Sequence, residues 1–171
     1  AGDKRNFIID GDFTQFPEGD KTSVANVSYT SALFKYVKQG GEIVVDSKQA
    51  ADAPTEAESG HSSTYCLHID VTTAETAVAA GDFAKVHYQV TGTDFAALHK
   101  QEVTLSFWHK HTKTGVYGVA LGNSAFNRSY PFEYTQTSTD TWEKHTETIT
   151  LDSSGTWLLT EADIGLVITF C

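Results

Sequence analysis

Residues 92–170 alternate between apolar and polar side chains in short runs. A turn signal closes each run after about 8–12 residues, the spacing of an antiparallel β-sandwich. Alternation sends successive side chains to opposite faces of a strand, one set toward a core and the other toward water. Val103, Leu105 and Phe107 fall on one face of the first of these runs. Thr104, Ser106, Trp108 and Lys110 fall on the other, where they meet solvent or pack under a loop. Residues 116–121, 129–135, 142–151 and 164–170 repeat the pattern.

The first half of the chain is less regular. Residues 6–16 open with a short apolar strand broken at Asp10-Gly11-Asp12, a pair of residue types that favours turns. Residues 29–37 and 42–46 read as two strands joined through Gly40-Gly41, the sequence of a hairpin turn. Residues 47–63 are poor in large apolar residues and predict an exposed loop with a helical turn, placed to cover an edge or touch a neighbouring subunit. Tyr65, Leu67, Ile69 and Val71 share one strand face, opposite Cys66, His68 and Asp70; Ala84, Val86, Tyr88 and Val90 form the next apolar face. Phe95 and Leu98 are three apart, which fits a single helical turn within residues 94–100. A series of about ten strands without a long helix predicts an all-β sandwich of two antiparallel sheets. A chain of 171 residues suits one such domain. Ala1-Gly2 reads as a processed start, a cut inside a larger protein or a tag remnant.

Charge narrows the function classes. Twenty-two acidic residues against 12 lysines and arginines leave a net charge of −10. That balance opposes non-specific nucleic-acid binding, which needs a basic face, and opposes adsorption to an anionic membrane. It suits a soluble protein on a particle surface. Cys66 and Cys171 are too few for a disulfide framework, and two thiols are the expectation.

Several residues invite a chemical reading. His109 and His111 share a strand face, but no third ligand is tied to them by spacing, so solvated or rim histidines are expected. Asp10 and Asp12 are candidate oxygen ligands for a structural Ca²⁺; an Asp-Gly turn with a local cap is the plainer reading. Glu143 and Glu147 flank His145 on one strand face, expected to be solvated rather than a catalytic pair. No nucleophile elbow, phosphate loop or dinucleotide fingerprint is present in the sequence. The aromatic residues carry the remaining chemistry, because sugar C–H faces stack on Trp and Tyr while sugar hydroxyls need polar neighbours. Trp108 lies beside Ser106 and Lys110, Tyr130 and Tyr134 lie near Arg128 and Glu133, and Trp142 follows Asp140 by two. Trp and Tyr are also ordinary sandwich core residues, so scaffolding competes with binding at each.

An ordered series of motifs carries a family resemblance. The chain opens with Asn6, Asp10, Gly11 and Phe13, then shows Gln89, Val90, Gly92, Asp94 and Phe95. Val103 to Trp108 reads VTLSFW, followed by Lys110, Thr114 and Gly115. Arg128, Ser129, Tyr130, Glu133, Tyr134 and Thr135 come next, then Thr141 to Lys144, Thr146, Thr148 and Ile149, then Ser154 to Trp157, and finally Ile164 to Leu166. This series resembles the jelly-roll, carbohydrate-binding-module-like domains of phage tail fibres and related virion appendages, most closely over residues 83–170. Two departures stand out. Tyr36 lies near the place where a Trp is expected, and the family continues for several strands beyond the position of Phe170.

The resemblance implies a jelly-roll, galactose-binding-like sandwich in a virion, with a non-catalytic role. Three readings remain open: a glycan-binding or host-attachment module of a tail fibre or spike, a structural capsid-decoration or fibre-trunk module that binds neighbouring virion proteins, and an accessory module of a polysaccharide-degrading enzyme. It further implies a homotrimer; the acidic charge and the lack of a run of about 18 apolar residues predict no nucleic-acid partner and no membrane insertion. The candidate ligand-binding residues are Trp108, Lys110, Arg128, Tyr130 and Tyr134, with Asp10 and Asp12 as the candidate Ca²⁺ ligands.

Overall fold

The computed structural model describes residues 5–171. The reading of Ala1-Gly2 therefore lies outside the described residues. The protein is all-β, built from antiparallel sheets, the arrangement of a β-sandwich. The chain divides into two compact units, Ala1–Tyr88 and Gln89–Cys171.

In the first unit, β1 (Ser28–Tyr29), β2 (Phe34–Gln39) and the first part of β5 (Phe83–Thr91) pair antiparallel. Two further strands, β3 (Val44–Ala50) and β4 (Cys66–Thr73), form an antiparallel ribbon around α1 (Glu56–Ser59). Tyr36, Val45 and Val24 form a buried cluster, with Ile43, Ile69, Ala84 and Val86 packed against it. A second apolar chain runs from Phe13 through Phe34 to Tyr88, with ring centroids 5.0 and 5.1 Å apart. The Tyr88 hydroxyl accepts from the Ile9 N–H and donates to the Phe7 carbonyl, which ties residues 7–9 to the sheet.

Four local expectations change here. Residues 8–12 are turn rather than strand, with Asp10 at φ 56°. The strand expected over 29–37 is interrupted at residues 30–33, where the Thr30 N–H and hydroxyl both turn back to the Phe34 carbonyl. Gly40 does take the left-handed conformation of a turn (φ 67°), yet β2 pairs with β1 and β5 while β3 pairs with β4. A turn signal is local, whereas the choice of pairing partner is made by distant residues. β3 also extends to Ala50, into the stretch expected to be loop, and α1 supplies its helical turn.

In the second unit, the helical turn expected within residues 94–100 starts two residues earlier, as α2 (Gly92–Ala96), N-capped by Thr91. β6 (Glu102–His109) and β9 (Glu143–Thr150) pair as a two-stranded ribbon. β7 (Gly115–Gly122), β8 (Ser129–Gln136) and β10 (Ile164–Phe170) pair in the order β10-β7-β8. The ribbon packs on that sheet through Phe107, whose ring lies 5.1 Å from both Tyr134 and Phe170 in edge contacts. Leu105, Val119, Leu121 and Ile149 fill the interior. Where α2 meets β10 the approach is close: a Cβ on Gly165 would lie 2.5 Å from the Phe95 Cβ, so only glycine fits.

Candidate functional site

The ribbon of β6 and β9 has two chemically distinct faces. Leu105, Phe107 and His109 point inward, and Thr104, Ser106, Trp108 and Lys110 point outward, as alternation demands. The register sets Trp108 opposite Lys144, Ser106 opposite Thr146 and Thr104 opposite Thr148. On the outer face Thr104, Ser106, Lys144, Thr146 and Thr148 are exposed and Trp108 is partly exposed. The Lys110 ammonium lies 5.3 Å from the centroid of the Trp142 ring, an attraction between cation and π-face. The result is a row of indole rings and ammonium groups, continued along the strands by hydroxyls; Thr104 and Thr148 share a hydrogen bond across it. The Trp142 Nε1 is covered and has no hydrogen-bond partner.

A buried polar network beneath this row holds its end in place. Gln136 is fully buried, and its Nε2 donates to the Ser138 and Thr141 carbonyls and to Glu143 Oε1. Its Oε1 lies 2.8 Å from His109 Nδ1, so that imidazole nitrogen carries the proton. Glu143 also accepts from the Thr137 N–H and hydroxyl and from the Ser138 N–H. Partial burial pushes the Glu143 carboxyl up, but these donors and the nearby His109 outweigh it and hold the group below its ordinary value. The Asp140 N–H donates to the His111 carbonyl. Residues 137–142 are thereby clamped, which delivers Trp142 beside Lys110.

The inner face gathers rings. His111 stacks on Tyr117 with centroids 3.7 Å apart, and His111 Nε2 shares a 3.0 Å hydrogen bond with the Tyr134 hydroxyl. Burial, with His109 adding to it, lowers the His111 pKa, and burial raises that of Tyr134 well above the usual phenol range. The expectation of solvated histidines is corrected at His109, which is 8% exposed and bonded to Gln136. The expected solvated face of Glu143, His145 and Glu147 is likewise the inward side, where each is partly buried and His145 stacks on Phe132.

Of the residues singled out in the sequence, the structure brings together Trp108 and Lys110, with Trp142. Tyr134 is inside the unit at 5% exposure. Tyr130 donates to Glu147 Oε1, and this bond raises its pKa. Arg128 belongs to a different cluster, where its Nε reaches Ser154 Oγ at 3.2 Å and Asp152 Oδ2 at 3.1 Å. Asp10 Oδ1 accepts from the Gln15 N–H and the Thr14 hydroxyl, closing its own turn, and Asp12 is exposed. Among the described residues no group of three or more His, Cys, Asp or Glu gathers to hold a metal. Cys66 and Cys171 are thiols. No helix among the described residues is long and apolar enough to cross a membrane. Lys144 is not among the candidate binding residues read from the sequence; the register opposite Trp108 is what reveals it. No family model, curated protein or solved structure matches the chain.

Proposed function

We propose that this protein is a non-catalytic glycan-binding module of a phage tail fibre or other virion appendage, with a jelly-roll fold. One observation carries the recognition reading: Trp108 and Trp142, each partly exposed, lie on the outer side of the β6–β9 ribbon and its end with Lys110, Lys144 and a line of Ser and Thr hydroxyls. Sugar rings stack on indole faces, and their hydroxyls exchange hydrogen bonds with such neighbours. A row of such groups along two strands suits an extended saccharide, which presents one ring after another. The placement on a virion rests on the resemblance carried by residues 83–170.

A structural role binding neighbouring virion proteins draws support from a different surface. An open apolar depression of about 580 Å³ lies on β7 and β8, lined by Gly118, Ala120, Pro131, Phe132, Glu133 and Cys171.

A glycan array on the purified protein, with its solution mass measured on the same sample, separates the two. Specific binding that disappears in Trp108→Ala and Trp142→Ala, with the circular dichroism spectrum unchanged, supports recognition. A stable oligomer without glycan binding would favour the structural role.

A further inference from the structure

The ribbon of β3 and β4 has one occupied edge and one open edge. On the β3 side, Lys21 and Ser47 exchange backbone hydrogen bonds of 2.8 and 2.9 Å, and the Val24 N–H donates to the Val45 carbonyl. Val45 and Ser47 thus aim their backbone groups away from β4. Their cross-strand partners Val71 and Ile69 therefore aim theirs away from β3, as members of non-hydrogen-bonded antiparallel pairs do. Leu67 follows by alternation. Among the described residues β4 pairs with β3 alone, and no backbone group beyond β3 bonds to Leu67, Ile69 or Val71. Ile69 packs against the cluster of Tyr36 and Val45, so Leu67 and Val71 share that side, where Val71 is still 52% exposed. His68 and Asp70 are exposed on the opposite face.

We propose that β4 pairs antiparallel with β4 of a second copy of this chain, about a two-fold axis at Ile69. The strand's own sequence selects that axis. An axis at His68 sets each imidazole against its own counterpart, and an axis at Asp70 sets carboxylate against carboxylate. With the axis at Ile69, His68 faces the partner's Asp70, and Asp70 faces the partner's His68. An imidazole donates to a carboxylate whether it is charged or neutral. These residues fall in non-hydrogen-bonded pairs, where side chains approach most closely. Leu67 faces the partner's Val71 and Ile69 faces the partner's Ile69, so their outward backbone groups meet and exchange hydrogen bonds.

Charge complementarity reaches one strand further. Register sets Lys48 beside His68 and Asp46 beside Asp70. Within one protomer Asp46 and Asp70 are like charges directly opposite, an unfavourable cross-strand pair. Across the dimer the row runs Lys48, His68, the partner's Asp70, the partner's Asp46. The basic end of one ribbon meets the acidic end of the other. On the apolar face the partner's Leu67 covers the exposed Val71. Two ribbons of two strands become one sheet of four, and an isolated two-stranded ribbon is the weaker arrangement. A net charge of −10 opposes association at long range, but screening confines that repulsion to about 8 Å at physiological salt. A two-fold pairing consumes the open edge, so assembly stops at the dimer.

Sedimentation equilibrium of the whole protein, over about a hundredfold range of concentration, tests the pairing. A reversible dimer is expected. His68→Asp sets carboxylate against carboxylate at both symmetry-related contacts, so dimerisation should weaken at least about tenfold. The double variant His68→Asp/Asp70→Lys restores opposite charges across the axis and should recover the parent's affinity. Amide hydrogen exchange locates the contact without any substitution: the Leu67, Ile69 and Val71 amides should exchange more slowly as concentration rises. A monomer throughout, or a trimer, overturns the pairing. So does a dimer indifferent to His68→Asp, a double variant that fails to recover, or exchange at these amides that ignores concentration. The glycan array above can succeed or fail without affecting any of these outcomes.

Discussion

His109 in the second unit and His87 in the first occupy opposite kinds of environment. His109 sits between two layers, and its Nδ1 proton is matched by Gln136, which in turn is matched on every side. His87 lies on a sheet face between two lysines, and neither of its ring nitrogens has a hydrogen-bond partner. The second unit thus uses a buried polar network to fix one arrangement of strands and turns. The first unit packs aliphatic and aromatic side chains inside, and several of its buried polar atoms, among them Ser31 Oγ, Ser47 Oγ and the Tyr36 hydroxyl, have no hydrogen-bond partner. A satisfied buried network resists change at every member, while an unmatched imidazole contributes no bond that a substitution could break.

Substitutions should expose that contrast, and the largest effect is expected at Gln136. Gln136→Leu removes the partners of His109 and of the Ser138 and Thr141 carbonyls, and about 3 kcal/mol of stability should be lost in urea unfolding. An unchanged midpoint would sink the idea that the network holds the second unit. Gly165→Ala forces a methyl group against Phe95, so a loss of about 1–3 kcal/mol is expected. His109→Leu should cost about 1–2 kcal/mol at neutral pH by orphaning the Gln136 carbonyl oxygen.

His87→Leu is the counterpart: near-neutral at pH 7 and stabilising at lower pH. Both His87 and His111 have folded-state pKa values below their ordinary one. As pH falls below about 6.5 the unfolded chain therefore binds protons before the folded chain does, so stability present above that pH declines below it. Thermal melting between pH 7 and 5 should show this decline in the parent and a shallower one in His87→Leu; parallel slopes would remove His87 from the account. The smallest effect is expected at Arg128→Ala, where an exposed pair with Asp152 is lost and melting should barely move.

How far this was legible in the sequence depended on how local each signal was. The strands of the second unit could be read because their alternation is nearly unbroken, as Val103 to His109 shows. The outward direction of Trp108 followed from the same count. The partnership of Lys144 with Trp108 did not, because register is set by a whole strand pair. His109 looked like a rim residue because the side chain that makes its burial tolerable, Gln136, is 27 positions away. Gly40-Gly41 announced a turn and got one, but β3 found its partner in β4. The surroundings of His87 were illegible for the same reason: Lys35 and His87 meet only once β2 and β5 are aligned.

The location of the indoles has a practical consequence. The chain has three tryptophans, Trp108, Trp142 and Trp157, and all lie beyond residue 88. Trp157 is packed against Phe95 and His99, while Trp142 sits beneath an ammonium. Tryptophan emission is therefore a gauge of the second unit alone, and the first unit carries only tyrosine chromophores such as Tyr36 and Tyr88. If the units melt at different temperatures, fluorescence and far-ultraviolet dichroism will trace curves that do not superimpose. A midpoint read from fluorescence by itself would then overlook half of the molecule.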